Sequence, residues 1–195
     1  MNVPLSAITA IQKDMTIKID NSLLLEIVDD KHAELIYTLA ERNRQYLSKW
    51  LPWVNYMQSV DFIKNFIEGS KRKAADKTDF AYVIVYENTV VGRIGVYNID
   101  HQNKIASIGY WIAEDLQGRG LITRACHELI GYCFSILGLN RVEIRCGTNN
   151  DKSRQVPERL GFVLEGIIRQ GEYVNGEFID LYCFSMLKND WLKRG

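Results

Sequence analysis

Between Lys104 and Cys146 the chain changes its periodicity twice. The β-rich run "KIASIGYWIA" leads into "EDLQGRG", and from there Leu121, Ala125, Leu129, Ile130, Phe134 and Leu137 follow helical spacing until Gly138 caps the run. "RVEIRC" then reads as a strand again. A strand that returns through a helix lies parallel to its predecessor, and the crossover is right-handed. The fold therefore needs a sheet with a parallel pair beside a glycine-rich turn.

The other elements surround this unit. "SLLLEIV" reads as a strand, and "VDDKHAELIYTLAERNRQYL" as a helix that stops before Pro52, with Ala33, Ile36, Tyr37 and Ala40 at helical spacing. A second helix is expected from Val60 to about Lys73, with Phe62, Ile63, Phe66 and Ile67 on one face. "FAYVIVY" and "VVGRIGVYNI" form a hairpin around "ENT". A short helix covers about Lys152 to Leu160, and "FVLEGII" and "DLYCFSMLK" are the last strands, around the turn "VNGE". The order is an α+β (α/β) sandwich with a mixed sheet. No repeat or linker divides it, so residues 15–195 read as one domain behind an N-terminal extension, residues 1–14.

Charge excludes some partners. With 24 basic and 24 acidic side chains the net charge is zero, which argues against a broad surface for nucleic acid or anionic lipid. "MNVPLSAITAIQKDM" lacks the pattern of a leader and no apolar run is long enough to span a bilayer, so a cytoplasmic protein is expected. Cys126, Cys133, Cys146 and Cys183 lack C-x-x-C spacing and read as reduced core thiols. His32, His101 and His127 stand outside any ligand pattern, and no metal is expected.

Two glycines where a helix starts suit a phosphate cradle, because a helix N-terminus offers free N–H groups and glycine allows close approach. No Lys-Ser/Thr pair follows, and the G-x-G-x-x-G fingerprint is missing. On the loop alone, a tight strand-to-helix turn explains the glycines equally well. In "NNDKS", Asn150 and Ser153 are both good helix caps. "YLSKWLPWVNY" gathers Tyr46, Trp50, Trp53 and Tyr56, which suits either a hydrophobic plug under the first helices or a binding wall.

Together, "YWIAEDLQGRGLITRA", "NNDKSRQVPERLGF" and "EGIIRQGEYVNGEFIDLYCFSML", in that order, resemble the GNAT superfamily of N-acetyltransferases. Within it the resemblance is to the Rim-type branch that acetylates the N-termini of ribosomal proteins, over about residues 15–190. Gln117, Gly118, Arg119, Gly120 and Leu121 fit the first five places of the family's Q/R-x-x-G-x-G/A, and Ile122 departs from the sixth. The resemblance implies a mostly antiparallel central sheet, flanked by helices, with two parallel strands that splay apart. It further implies acetyl-CoA as cosubstrate, its pyrophosphate on the amides from Gln117 to Ile122 and Thr123, and its pantetheine arm along Ile112 and Ala113.

In the family Asn150 would meet the cofactor arm and Ser153 the thioester sulfur. Many members carry a tyrosine four residues after that serine, where this chain has Pro157, so Ser153 becomes the donor to the leaving thiolate. A thiol with a pKa of about 8.5 leaves with modest help. The glutamate of "RQGEY", Glu172, would be the base, acting on the amine through a water, with Glu114 and Glu143 as runners-up. Trp50, Trp53 and Tyr56 would border the acceptor groove. The expected reaction is direct attack of a primary amine in a ternary complex, the acceptor being a protein N-terminus, and the expected assembly is a homodimer. The alternatives are an acetyltransferase for a polyamine or antibiotic amine and a non-catalytic acyl-CoA-binding module.

Overall fold

The computed structural model describes residues 16–194; the expected extension, residues 1–14, lies outside the described residues. The strands are β1 (Thr16–Lys18), β2 (Leu23–Ile27), β3 (Phe80–Tyr86), β4 (Thr89–Asp100), β5 (Ile105–Ile112), β6 (Arg141–Gly147), β7 (Val163–Val174) and β8 (Glu177–Leu187). They form one sheet in the order β1-β2-β3-β4-β5-β6-β8-β7, in which only β5 and β6 run parallel. The helices are α1 (Ala33–Arg42), α2 (Arg44–Leu47), α3 (Trp53–Tyr56), α4 (Val60–Ala75), α5 (Leu121–Ser135), α6 (Asp151–Leu160) and α7 (Lys188–Leu192).

At β3 the sheet is buried on both faces, which is why "FAYVIVY" is a continuous apolar run and not an alternating one. Phe80, Tyr82 and Ile84 of β3 join the core under α5, while Ala81 and Val83 join a second core under α1 and α4. Of the residues read at helical spacing, Leu121, Ala125, Leu129, Ile130 and Phe134 are buried, while Leu137 lies beyond the end of α5 at Ser135 and is half-buried. Cys126, Cys133 and Cys146 are buried free thiols, and burial pushes the Cys133 thiol up to about 12.

Three local features depart from the sequence reading. A short strand, β1, precedes "SLLLEIV" and pairs with it. The first helix breaks at Asn43, whose Nδ2 donates to the Leu39 carbonyl at 2.8 Å and whose Oδ1 accepts the Glu114 amide at 2.8 Å. Asparagine side chains compete with the helix ladder, and here one also fastens the helix to the loop after β5. Finally, β7 continues past Ile168 to Val174 because register shifts between Leu164 and Gly166 and between Ile168 and Glu172 absorb extra residues. Asn175 and Gly176 both have positive φ (52° and 87°) and close the β7–β8 hairpin tightly.

Candidate active site

The parallel contact between β5 and β6 is three residues long, Ile105–Ser107 against Arg141–Glu143. Beyond it each strand follows its other neighbour, β5 staying with β4 to Ile112 and β6 with β8 to Gly147. The strands splay, and Ile108–Ile112 present a free edge. A cleft of about 680 Å³ opens there.

Three elements close on the cleft. From one side comes the N-terminus of α5: Gly118 and Gly120 have φ of 75° and 72°, a region that L side chains avoid, and nothing stands within 4 Å of where a Cβ would point on either. Among the described residues no side chain caps α5, and its turn-to-helix bonding starts with the Arg124 amide on the Gly120 carbonyl at 3.0 Å. Of the amides expected to hold the pyrophosphate, that of Gln117 is already taken by the Glu114 carbonyl (3.3 Å), and those of Leu121, Ile122 and Thr123, in the first turn, are left to a ligand or water. From below comes α6, where Asn150 Oδ1 accepts the Ser153 amide at 3.1 Å, so the expected cap forms. Across the cleft mouth, Lys152 Nζ donates to Gln117 Oε1 at 2.6 Å and joins the two loops.

The third wall belongs to β7 and the aromatic segment. The register shift before Glu172 places it opposite Ile179, and Ile179 and the Trp50 ring both pack around Gly147. The hairpin is pinned to this segment by Asn55 Nδ2 on Asn175 Oδ1 (2.8 Å) and by Asn175 Nδ2 on the Ser48 carbonyl (2.9 Å). Glu172 is exposed at the cleft, and partial desolvation there raises its carboxyl from its ordinary value, which makes it a stronger base.

The cleft thus collects Ile112, Gln117, Gly118, Gly120, Leu121, Ile122, Thr123, Asn150, Ser153, Glu172, Trp50 and the runner-up Glu114. Five other candidates lie elsewhere. The Ala113 amide is taken by the Val91 carbonyl (2.9 Å) and is not left for a pantetheine arm, and its carbonyl already accepts the Leu116 amide (3.2 Å). Arg119 is exposed on the outside of the loop and does not line the cleft. Trp53 lines a neighbouring cavity, between Phe62 and Trp111 at ring distances of 6.4 Å and 6.2 Å. Tyr56 is 73% exposed, because on the single turn of α3 it lies about 200° around from buried Val54. Glu143 is held by Arg141 (2.8 Å) and Arg145 (2.8 Å); burial alone would raise its pKa, but these bonds outweigh it and lower the value, so it is a poor base.

The sequence reading missed Tyr110. Its hydroxyl lies in the splay, donating to the Ser153 carbonyl at 3.0 Å and standing 3.4 Å from Ser153 Oγ. Burial pushes the Tyr110 phenol well above its ordinary value, so it keeps its proton. Strand alternation places it on the same face as Ile108 and Ile112, a signal that was present in "GYWIA".

Residues 22–163 match the acetyltransferase (GNAT) domain family. The chain is 40% identical to the putative ribosomal N-acetyltransferase YdaF of Bacillus subtilis (strain 168), over 90% of this chain and 97% of that protein. It is 32% identical to the ribosomal-protein-serine acetyltransferase of Escherichia coli (strain K12), over 88% and 96% of the two chains. Among solved structures, the microcin C7 self-immunity acetyltransferase MccE, in complex with acetyl-CoA and AMP, superimposes with a TM-score of 0.84 at 31% identity, covering 88% of this chain and 95% of that one. The splayed pair, the glycine turn and these relatives agree: the chain belongs to the GNAT family of N-acetyltransferases.

Proposed function

We propose that the protein transfers an acetyl group from acetyl-CoA directly to a primary amine, the α-amine of a protein N-terminus, with ribosomal proteins as the acceptor class. One observation carries the reading: Ser153 and Glu172 line a single cleft, between a free strand edge and an uncapped helix N-terminus. The open space over Gly118 and Gly120 and the unpaired amides of α5 fit a pyrophosphate, and the edge Ile108–Ile112 fits an amide-bearing arm. Acetyl-CoA supplies the activated acyl group.

The chain's own residues then divide the proton work. Glu172 accepts the amine proton through a water, and Ser153 Oγ, held beside the Tyr110 hydroxyl, donates toward the leaving sulfur. An α-amine titrates at about 7.7 to 8.0 against about 10.4 for a lysine, so a carboxylate of modestly raised pKa serves the former far better. Direct attack is favoured over a covalent acyl-enzyme. Cys146 is the thiol lining the cleft among the described residues, and burial pushes it up to about 11, which keeps it protonated and weakly nucleophilic.

The names of the two bacterial relatives support the ribosomal acceptor. A homodimer is part of the proposal, since Val163, Leu164 and Ile167 stand exposed on the edge strand β7. The test is CoA release with peptides bearing free or blocked N-termini, with spermidine as comparison. Release with free α-amines alone fits the reading; release with spermidine alone contradicts it.

A further inference from the structure

Beside the cleft lies a second cavity of about 670 Å³, and the strand segment Gly109–Trp111 lines both. Gly109 lines this cavity and faces Gly95 in the β4–β5 register. Tyr97 leans over both: a Cβ on Gly95 would fall 2.5 Å from the tyrosine hydroxyl, and one on Gly109 would fall 3.4 Å from its ring. Arg93, two residues before Gly95 on the same face and opposite Trp111, is 8% exposed. Its guanidinium carbon stands 3.6 Å from the centroid of the Phe66 ring.

The polar groups here are out of balance. Arg93 and Trp111 both line this cavity, and Arg93 Nε and Trp111 Nε1 are buried atoms with no hydrogen-bond partner among the described residues. Both groups are donors only, and a guanidinium does not shed its charge inside a protein. Tyr97 and the Phe66 face offset part of the cost of burial, but no carboxylate faces the guanidinium among the described residues. A buried cation beside a second orphan donor, walled by Trp53, Phe62 and Phe66, lacks one thing, an anionic acceptor.

We propose that this cavity is a subsite for an anionic group, a carboxylate or a phosphate, carried by the amine acceptor close to its reacting end. Arg93 and Trp111 donate to the anion's oxygens while the aromatic walls exclude water. The inference rests on the acetyltransferase reading of the neighbouring cleft, and it narrows the acceptor to amines with an acidic neighbour. Arg93 is here a specificity-determining residue and takes no part in proton transfer.

The test is a fluorescence titration, since Trp53 and Trp111 both line the cavity. Short peptides with a free N-terminus and aspartate, phosphoserine or asparagine in second place are titrated into the full chain. At least one acidic peptide should bind about tenfold or more tightly than its asparagine counterpart, and which one leads tells carboxylate from phosphate. Arg93→Met should abolish the preference while leaving acetyl-CoA affinity unchanged. If that variant fails to fold, Trp111→Phe should reduce the preference by removing the other donor. Equal affinities in the wild type, or a preference that survives in the folded Arg93→Met variant, overturn the proposal. Acidic preference in binding without acetyl transfer would leave the subsite standing and count against the reading of the cleft.

Discussion

The Tyr110 hydroxyl donates to the carbonyl of Ser153 at 3.0 Å, the carbonyl that Pro157 deprives of its helical partner. In an α-helix the amide of residue i bonds the carbonyl of i−4, and proline has no amide to give. The proline that displaces the family's usual tyrosine thus opens a place for a tyrosine hydroxyl from β5.

This pairing predicts a coupled pair of stability effects. Tyr110→Phe should cost about 1–3 kcal/mol by stranding the carbonyl. In a Pro157→Ala background the restored amide takes that carbonyl, so the same change should cost less by about 0.5 kcal/mol or more. Denaturant unfolding of the four proteins measures the coupling; strictly additive losses would refute it.

Gly120→Val forces a β-branched residue to φ 72° and places a side chain in the open space over the loop. The strain should cost on the order of 1–3 kcal/mol in stability. Acetyl-CoA affinity, measured by calorimetry, should fall by at least about tenfold. An unchanged dissociation constant would move the pyrophosphate site elsewhere.

Away from the cleft, Arg141 holds Glu165 with bonds of 2.6 Å and 2.5 Å, and Ser185 adds one of 2.7 Å; these lower the Glu165 carboxyl to about 2. A depressed carboxylate stabilises the fold above its unfolded pKa, about 4.3, and the contribution fades as pH falls toward 2. Glu165→Gln should therefore be less stable than wild type at pH 6, and the gap should narrow at pH 3. Because the side chain is 41% exposed, the gap should stay below about 1 kcal/mol. Thermal melts at the two pH values decide it, and a gap that grows on acidification would contradict it.

What the sequence could disclose follows from the range of each interaction. The crossover was legible because periodicity is local, and so was the cap on α6, since Asn150 and Ser153 are three residues apart. Tyr56 was misplaced because α3 is a single turn, too short for its outward face to be read from spacing. Glu143 looked free because the partners flanking it on β6, Arg141 and Arg145, read simply as charges along a strand. Arg93 gave no signal at all. One cation within "VVGRIGVYNI" reads as the solvated face of a strand, and only the packing of α4 against β4 shows it buried on Phe66.

The most direct test of the account is the pH dependence of turnover for Glu172→Gln with a peptide α-amine as acceptor. The substitution keeps shape and hydrogen bonding but removes the basic oxygen, so kcat should fall with little change in acetyl-CoA affinity. Between pH 6 and 9 that loss should shrink, because an α-amine titrating at about 7.7 to 8.0 sheds its own proton across the range. A loss of equal size at every pH would contradict the assignment: Glu172 would then position the acceptor, and the base would have to be sought at Glu114, the other cleft carboxylate.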